Sequence, residues 1–169
     1  MSFLSRLLGR KPDDRAPVRA LWHRIVELAR DKEWYASCGI ADTVAGRFDA
    51  ITLALSLVLL RMEREPDLIE PSVWLTELFV EDMDGQLRQS GVGDLVVGKR
   101  MGKLMSVLGG RLGAYRDGLP RGESTVAGAG SRNGTPIGGP DPAMGARKAL
   151  ALHARIASLP ADELLAARI

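Results

Sequence analysis

The chain has 169 residues, 46% of them hydrophobic and 26% charged, which suits one domain with its own core and excludes wholesale disorder. A net charge of only +2 argues against a dedicated nucleic-acid binder. The one cysteine, Cys38, cannot close an internal disulfide, which fits a reducing compartment.

The start, Met1 to Lys11, lacks the uninterrupted apolar run of a secretory signal, because Arg6 breaks it. It reads either as a frayed terminus or as a short amphipathic helix. In the second reading Phe3, Leu4, Leu7 and Leu8 share one side, and Arg6, Arg10 and Lys11 face anionic headgroups. Phe3, Leu4, Leu7, Leu8, Arg10 and Lys11 are therefore the candidate membrane contact. Pro12-Asp13-Asp14 separates this arm from the body.

Pro17 suits a first helical position. Val18, Leu21, Trp22, Ile25, Leu28 and Ala29 then recur at spacings of three and four, predicting a helix of about four turns. Trp34 and Tyr35 follow, before Gly39. The next helix is expected from Thr43 or Arg47 to Glu65, with Asp42 as its cap, and Pro66 marks its stop. It is apolar almost all round, which places it in the middle of a bundle. Its apolar stretch, Ala50 to Leu60, rises only ~16 Å against a hydrocarbon core of ~30 Å. It is too short to span a membrane, and a soluble or peripheral protein is expected.

Ser72 is the expected N-cap of the following helix, whose buried stripe would be Val73, Leu75, Leu78, Phe79, Met83 and Leu87. Glu77, Glu81, Asp82 and Asp84 make this helix acidic. A turn at Gly91–Gly93 leads to a basic helix running to about Arg116. There Leu95, Met101, Leu104, Met105, Leu108, Leu112 and Tyr115 have helical spacing, with Lys99, Arg100, Lys103 and Arg111 between them. The two are expected to be antiparallel neighbours that share charge pairs at their edges.

Seven glycines between Gly118 and Pro142 mark a loop or linker. Asp141-Pro142 has the form of a cap and first-turn proline. A helix with Leu150, Leu152, Ile156 and Leu159 should follow and end at Pro160, with a short terminal helix within Ala161–Ile169. No stretch alternates with period two. The expected fold is all-α: a single-domain bundle of about five to seven helices with a glycine-rich loop before the C-terminal ones. The divisions are residues 1–16 (arm), 17–117 (core), 118–141 (linker) and 142–169 (C-terminal helices packing on the core).

Little in the sequence points to catalysis. His23 and His153 stand apart, without partners at metal-ligand spacing, and read as surface or boundary residues. Cys38 has no neighbouring His or second Cys and reads as a small semi-buried residue. Asp82 and Asp84 invite a metal or acid/base reading. At i and i+2, however, they point about 200° apart on a helix, which favours a solvated acidic face or salt bridges to the basic helix. Gly91-Val92-Gly93 lacks the rest of a phosphate-loop fingerprint, and no nucleophile elbow occurs. Arg47, beside Phe48, is either tied to a carboxylate such as Asp84 or Asp94 or forms the rim of a partner groove. No enzyme, metal or cofactor is expected.

Several of these segments form a linked set. They are the Ala-Asp-Thr-Val-x-Gly-Arg-Phe run at Ala41–Phe48 and the helix ending Val58-Leu59-Leu60-Arg61. Glu81-Asp82-Met83-Asp84, Leu87-Arg88 and Gly91 to Arg100 come next, and Gly110-Arg111 and Ala114-Tyr115 complete it. In that order and spacing, from Trp34 to about Tyr115, the chain resembles the ubiquinol–cytochrome c chaperone family of bc1 assembly factors. Two departures stand out: Gly109-Gly110 where an aromatic–glycine pair is usual, and a glycine-rich region around Arg132-Asn133 where relatives have a helical piece.

The resemblance implies a helical, non-enzymatic assembly chaperone for the bc1 complex. It would bind newly made cytochrome b or a partner assembly factor and meet the ribosome or inner-membrane surface from the bacterial cytoplasm. Neither nucleic-acid sequence recognition nor a small-molecule substrate is implied. The candidate partner-binding residues are Asp42, Arg47, Phe48, Asp82, Asp84, Arg88, Asp94, Lys99 and Arg100. Met62, Met83, Met101 and Met105 are either an adaptable lining for an apolar client or simply core. The alternative function is a peripheral membrane adaptor that docks through the N-terminal segment.

Overall fold

The computed structural model describes residues 15–91, 93–122 and 142–169. In chain order its helices are α1 (Ala16–Ala29), α2 (Glu33–Ala36), α3 (Val44–Met62), α4 (Ile69–Gln89), α5 (Asp94–Gly118), α6 (Pro142–Ser158) and α7 (Ala161–Leu165). Short 3-10 turns at Pro66–Leu68 and Leu119–Arg121 precede α4 and follow α5. The fold is an all-α single-domain bundle, with no strand among the described residues. No helix among them is long and apolar enough to cross a membrane.

The axis of the bundle is α3. Ala50, Leu53, Ala54, Leu55, Leu57 and Val58 are all 2% exposed or less, so this helix is enclosed on every side. Packed on it are α1, α5 and α6, while α4 lies mainly on α1 and α5. At ~1.5–3 kcal/mol per large buried side chain, α3 supplies much of the gross apolar stabilisation. Trp22 of α1 meets Phe79 of α4 edge-on at 6.0 Å between ring centres. From the C-terminal helices Ala146, Ala149, Ile156 and Leu164 enter the same apolar cluster.

Polar groups fasten the ends. The Trp34 indole donates to the Leu28 carbonyl (3.0 Å) and the Tyr35 hydroxyl to the Ala29 carbonyl (2.7 Å), which satisfies carbonyls at the end of α1. Lys148 of α6 pairs with Asp31 (2.6 Å) and Glu33 and lies 5.0 Å from the Trp34 ring centre. The Arg24 guanidinium donates twice to the Ile169 oxygen, at 2.8 and 3.1 Å. Arg61, buried at the end of α3, pairs with Glu65 and donates to the Leu159 carbonyl at 2.9 Å. Cys38 is fully buried, and burial pushes its thiol pKa up.

Local expectations need correction at several points. The cap of α3 is Thr43 rather than Asp42, its hydroxyl accepting from the Gly46 amide at 3.1 Å. The helix ends at Met62, three residues before Glu65. Ser72 does not cap α4, which already begins at Ile69; its hydroxyl donates back to the Ile69 carbonyl at 2.6 Å. Val73, assigned to a buried stripe by spacing, is 52% exposed, and Leu95 and Met105, helically spaced on the basic helix, are 95% and 38% exposed. Each is apolar and in helical register, but its direction misses the core. Asp141, the expected cap of α6, and the arm's Phe3 to Lys11 lie outside the described residues.

Gly46 has a specific steric reason. A Cβ placed there would sit 1.8 Å from the Ala41 carbonyl oxygen, which is backbone and has no flexible side chain to yield. The chain entering α3 folds back against the helix's own first turn. Gly46→Ala is expected to destabilise by about 1–3 kcal/mol, as overpacking does. That corresponds to a melting temperature roughly 2–10 °C lower, read by circular dichroism; an unchanged melting curve would contradict the close approach.

Candidate partner-binding surface

The site is built around the junction of α3 and α5. Arg111, 3% exposed, reaches from α5 to the first half of α3. One of its terminal nitrogens, Nη1, donates to the Asp49 carbonyl at 2.8 Å and to the Thr52 hydroxyl; the other, Nη2, pairs with the Asp49 carboxylate. The Thr52 hydroxyl in turn donates to the Asp49 carbonyl at 3.0 Å, and Ser56 donates to the Thr52 carbonyl at 2.6 Å. Burial raises the Asp49 pKa, and the charge and hydrogen bond of Arg111 oppose that rise. Tyr115, one turn further along α5, is 2% exposed, and burial raises its phenol pKa as well.

This anchor holds only the C-terminal half of α5. Between Asp94 and Val107 the one buried side chain is Val97. Met101 and Leu104 pack partly buried at the core's edge, while Leu95 is 95% exposed and Val96 47%. Lys99, Arg100 and Lys103 are exposed as well, and none makes an ion pair among the described residues. The helix thus presents apolar and cationic side chains together.

The sequence-predicted residues do not form one surface. Arg47 pairs with Asp42 at 2.9 Å, both about two-thirds exposed, instead of reaching Asp84 or Asp94. Phe48 is half-buried against Phe79, 6.1 Å between ring centres, at the edge of the core. Arg88 bridges Asp84 (2.7 Å) and Asp94 across the α4–α5 turn, where Gly91 has φ of 80°. Asp82 lies on another side of α4, in a groove shared with Arg19, Trp22 and His23 of α1. The two carboxylates diverge as their spacing requires, and no metal-binding cluster occurs among the described residues. Lys99 and Arg100 belong to the open half of α5. Of the methionines, Met62 and Met83 are core, Met101 packs at its edge, and Met105 is partly exposed.

Sequence reasoning missed the exposed pair Leu95 and Val96 and the buried role of Arg111. A helical wheel carries the first signal, because Leu95 stands about 200° from the buried Val97. His23 is exposed, whereas the Nδ1 of His153 is buried without a hydrogen-bond partner among the described residues. Burial, with the charge of Arg64, lowers the His153 pKa and keeps the ring neutral.

The structure is a helical bundle that exposes apolar and basic side chains on the first half of α5, and no metal-binding cluster occurs among the described residues. The profile of the ubiquinol–cytochrome C chaperone family matches residues 36–167, more than three quarters of the chain, and the chain belongs to that family. Its structure is similar to the crystal structure of the Cbp3 homolog from Brucella abortus, with 32% sequence identity and a TM-score of 0.80. That similarity covers 98% of this chain and 94% of the other. No curated protein matches the chain by sequence.

The anchor is directly testable. Arg111→Ala leaves the Asp49 carboxylate buried without its guanidinium and is expected to cost about 3–5 kcal/mol in urea unfolding. Arg111→Met combined with Asp49→Leu removes both charges and should recover most of that loss. A double variant as unstable as the single one would mean that Arg111 acts through packing alone.

Proposed function

We propose that this protein acts without catalysis as an assembly chaperone for ubiquinol–cytochrome c reductase, covering an apolar segment of newly made cytochrome b with the open half of α5. The supporting observation is that exposed Leu95 and Val96 share that half-helix with the cations Lys99, Arg100 and Lys103, which make no ion pair among the described residues. Membership of the chaperone family supplies the pathway. A membrane-protein client has long apolar segments that need cover before insertion. Leu95 and Val96 would each contribute ~1–3 kcal/mol on burial against such a segment. The cations suit the polar ends and acidic residues that flank it, setting orientation and encounter rate more than affinity.

Because Leu95 and Val96 do not hold the fold together, their loss separates binding from stability. Leu95→Asp with Val96→Asp should leave the melting temperature within about 2 °C, since surface changes are usually within ±0.5 kcal/mol. The same double variant, expressed in a strain lacking the gene, should fail to restore haem b absorbance and assembled bc1 complex on a native gel. A photo-crosslinker at position 95 should capture cytochrome b. Full restoration by the double variant, or crosslinking only to lipid, would overturn the assignment; the second result would favour a peripheral membrane adaptor.

A further inference from the structure

On α4 a second surface has the opposite charge. Ile69, Val73, Thr76, Val80, Met83 and Leu87 follow one another at spacings of 4, 3, 4, 3 and 4, which is the seam of a heptad repeat. Met83 turns into the core, but the earlier part of the seam opens outward: Ile69 is 48% exposed and Val73 52%, while Thr76 is partly buried and Val80 packs at the edge of the core. A shallow groove of about 560 Å³ runs along this face, with Val73, Thr76 and Val80 in its floor. One edge of the seam is a row of acids, Glu70, Glu77 and Asp84, each directly following a seam residue. Asp84 is held by Arg88, whereas Glu70 and Glu77 have no ion-pair partner among the described residues. Glu77 also stands one turn from Glu81, a like-charge spacing that weakens an isolated helix.

An exposed β-branched seam with an acidic edge has no explanation within the bundle. We infer that the outer face of α4 is a docking site for an amphipathic helix of a partner protein, one with an apolar seam and Lys or Arg along the edge that meets Glu70 and Glu77. Apolar side chains of the partner enter between Val73, Thr76 and Val80, and its cations relieve the acidic row. A second copy of this chain is a poorer occupant. Its basic half-helix carries Leu95, Lys99, Gly102, Ser106 and Gly109 at heptad spacing, which is no apolar seam. The inference concerns a different helix from the proposed cytochrome b contact and stands without it.

The probes are two fluorescein-labelled 21-residue peptides with Leu at every a and d position. One has Lys at e and g, the other Glu, and each is titrated against the full chain by fluorescence anisotropy. The Lys peptide should bind in the micromolar range and the Glu peptide at least tenfold more weakly, with the difference shrinking as salt rises. Val73→Asp, at an exposed position, should weaken the Lys peptide more than tenfold. Glu77→Lys should narrow or reverse the preference, and Leu95→Asp should change neither. Equal binding of the two peptides, or insensitivity to Val73→Asp, would overturn the inference. So would a full-length dimer in light scattering that Val73→Asp dissociates, because a second copy would then be the occupant. A more than tenfold gain in Lys-peptide affinity from Arg6→Glu with Arg10→Glu would assign the groove to the chain's own first residues and also overturn it.

Discussion

The pairing of Arg111 with Asp49 fixes where α5 can stand. Six of the 25 residues of α5 are glycine, and each costs a helix about 1 kcal/mol relative to alanine. Such a segment is a poor helix by itself and depends on tertiary contacts. Its fully buried residues are few: Val97 near the start, then Leu108, Arg111, Tyr115 and Gly118, with Met101, Leu104, Leu112 and Ala114 partly buried against the core. Leucine and tyrosine tolerate some sliding along an apolar neighbour. A guanidinium that must reach a carboxylate, a carbonyl and a hydroxyl together does not, because a shift leaves buried polar groups unsatisfied. A buried ion pair need not outperform an apolar one in energy; what it imposes here is a single register of α5 on α3.

That register depends on how α3 begins. Thr43 caps the helix, and Gly46 lets the preceding strand of chain fold against the first turn. Asp49 lies one turn after Gly46, so the cap and the close approach determine where the carboxylate meets α5. The motif at Ala41–Phe48 and the Gly110-Arg111 and Ala114-Tyr115 pairs are therefore parts of one structural joint, although some sixty residues separate Asp49 from Arg111. Their side chains mostly build the joint. Upstream of that joint, α5 leaves Leu95 and Val96 exposed.

The bundle itself was legible from periodicity, because an all-round apolar helix can only be central and Pro66, Pro160 and the Gly91–Gly93 turn punctuate the chain. The sites were less so. Leu95, Met105 and Val73 have the right residue type and spacing for a core, and a sequence does not say whether a neighbour exists on that side. Arg111 reads as one more cation on a basic helix, because its carboxylate partner is distant in sequence. Arg47 invites a long-range partner, yet Asp42, five residues away, satisfies it in a turn that spacing alone does not reveal. Cys38, read as semi-buried, is fully enclosed by the turn after α2, a detail of tertiary packing.

Two helices joined by one tight turn thus carry surfaces of opposite sign, an acidic apolar seam on α4 and a basic apolar half-helix on α5. Arg88 bridges Asp84 and Asp94 across the turn, which ties the end of the acidic row to the start of the basic helix. An exposed pair of this kind contributes little stability, ~0–1 kcal/mol, so its consequence is geometric. It removes two acids from competition for a basic partner near the α5 surface. A ligand with a cationic edge is attracted by α4 and repelled by α5, and one with an anionic edge has the reverse preference. Like-charge repulsion at the wrong surface discriminates between partners as effectively as attraction at the right one. Under the proposed chaperone function, that separation would let an apolar client and a helper protein occupy different helices without displacing one another.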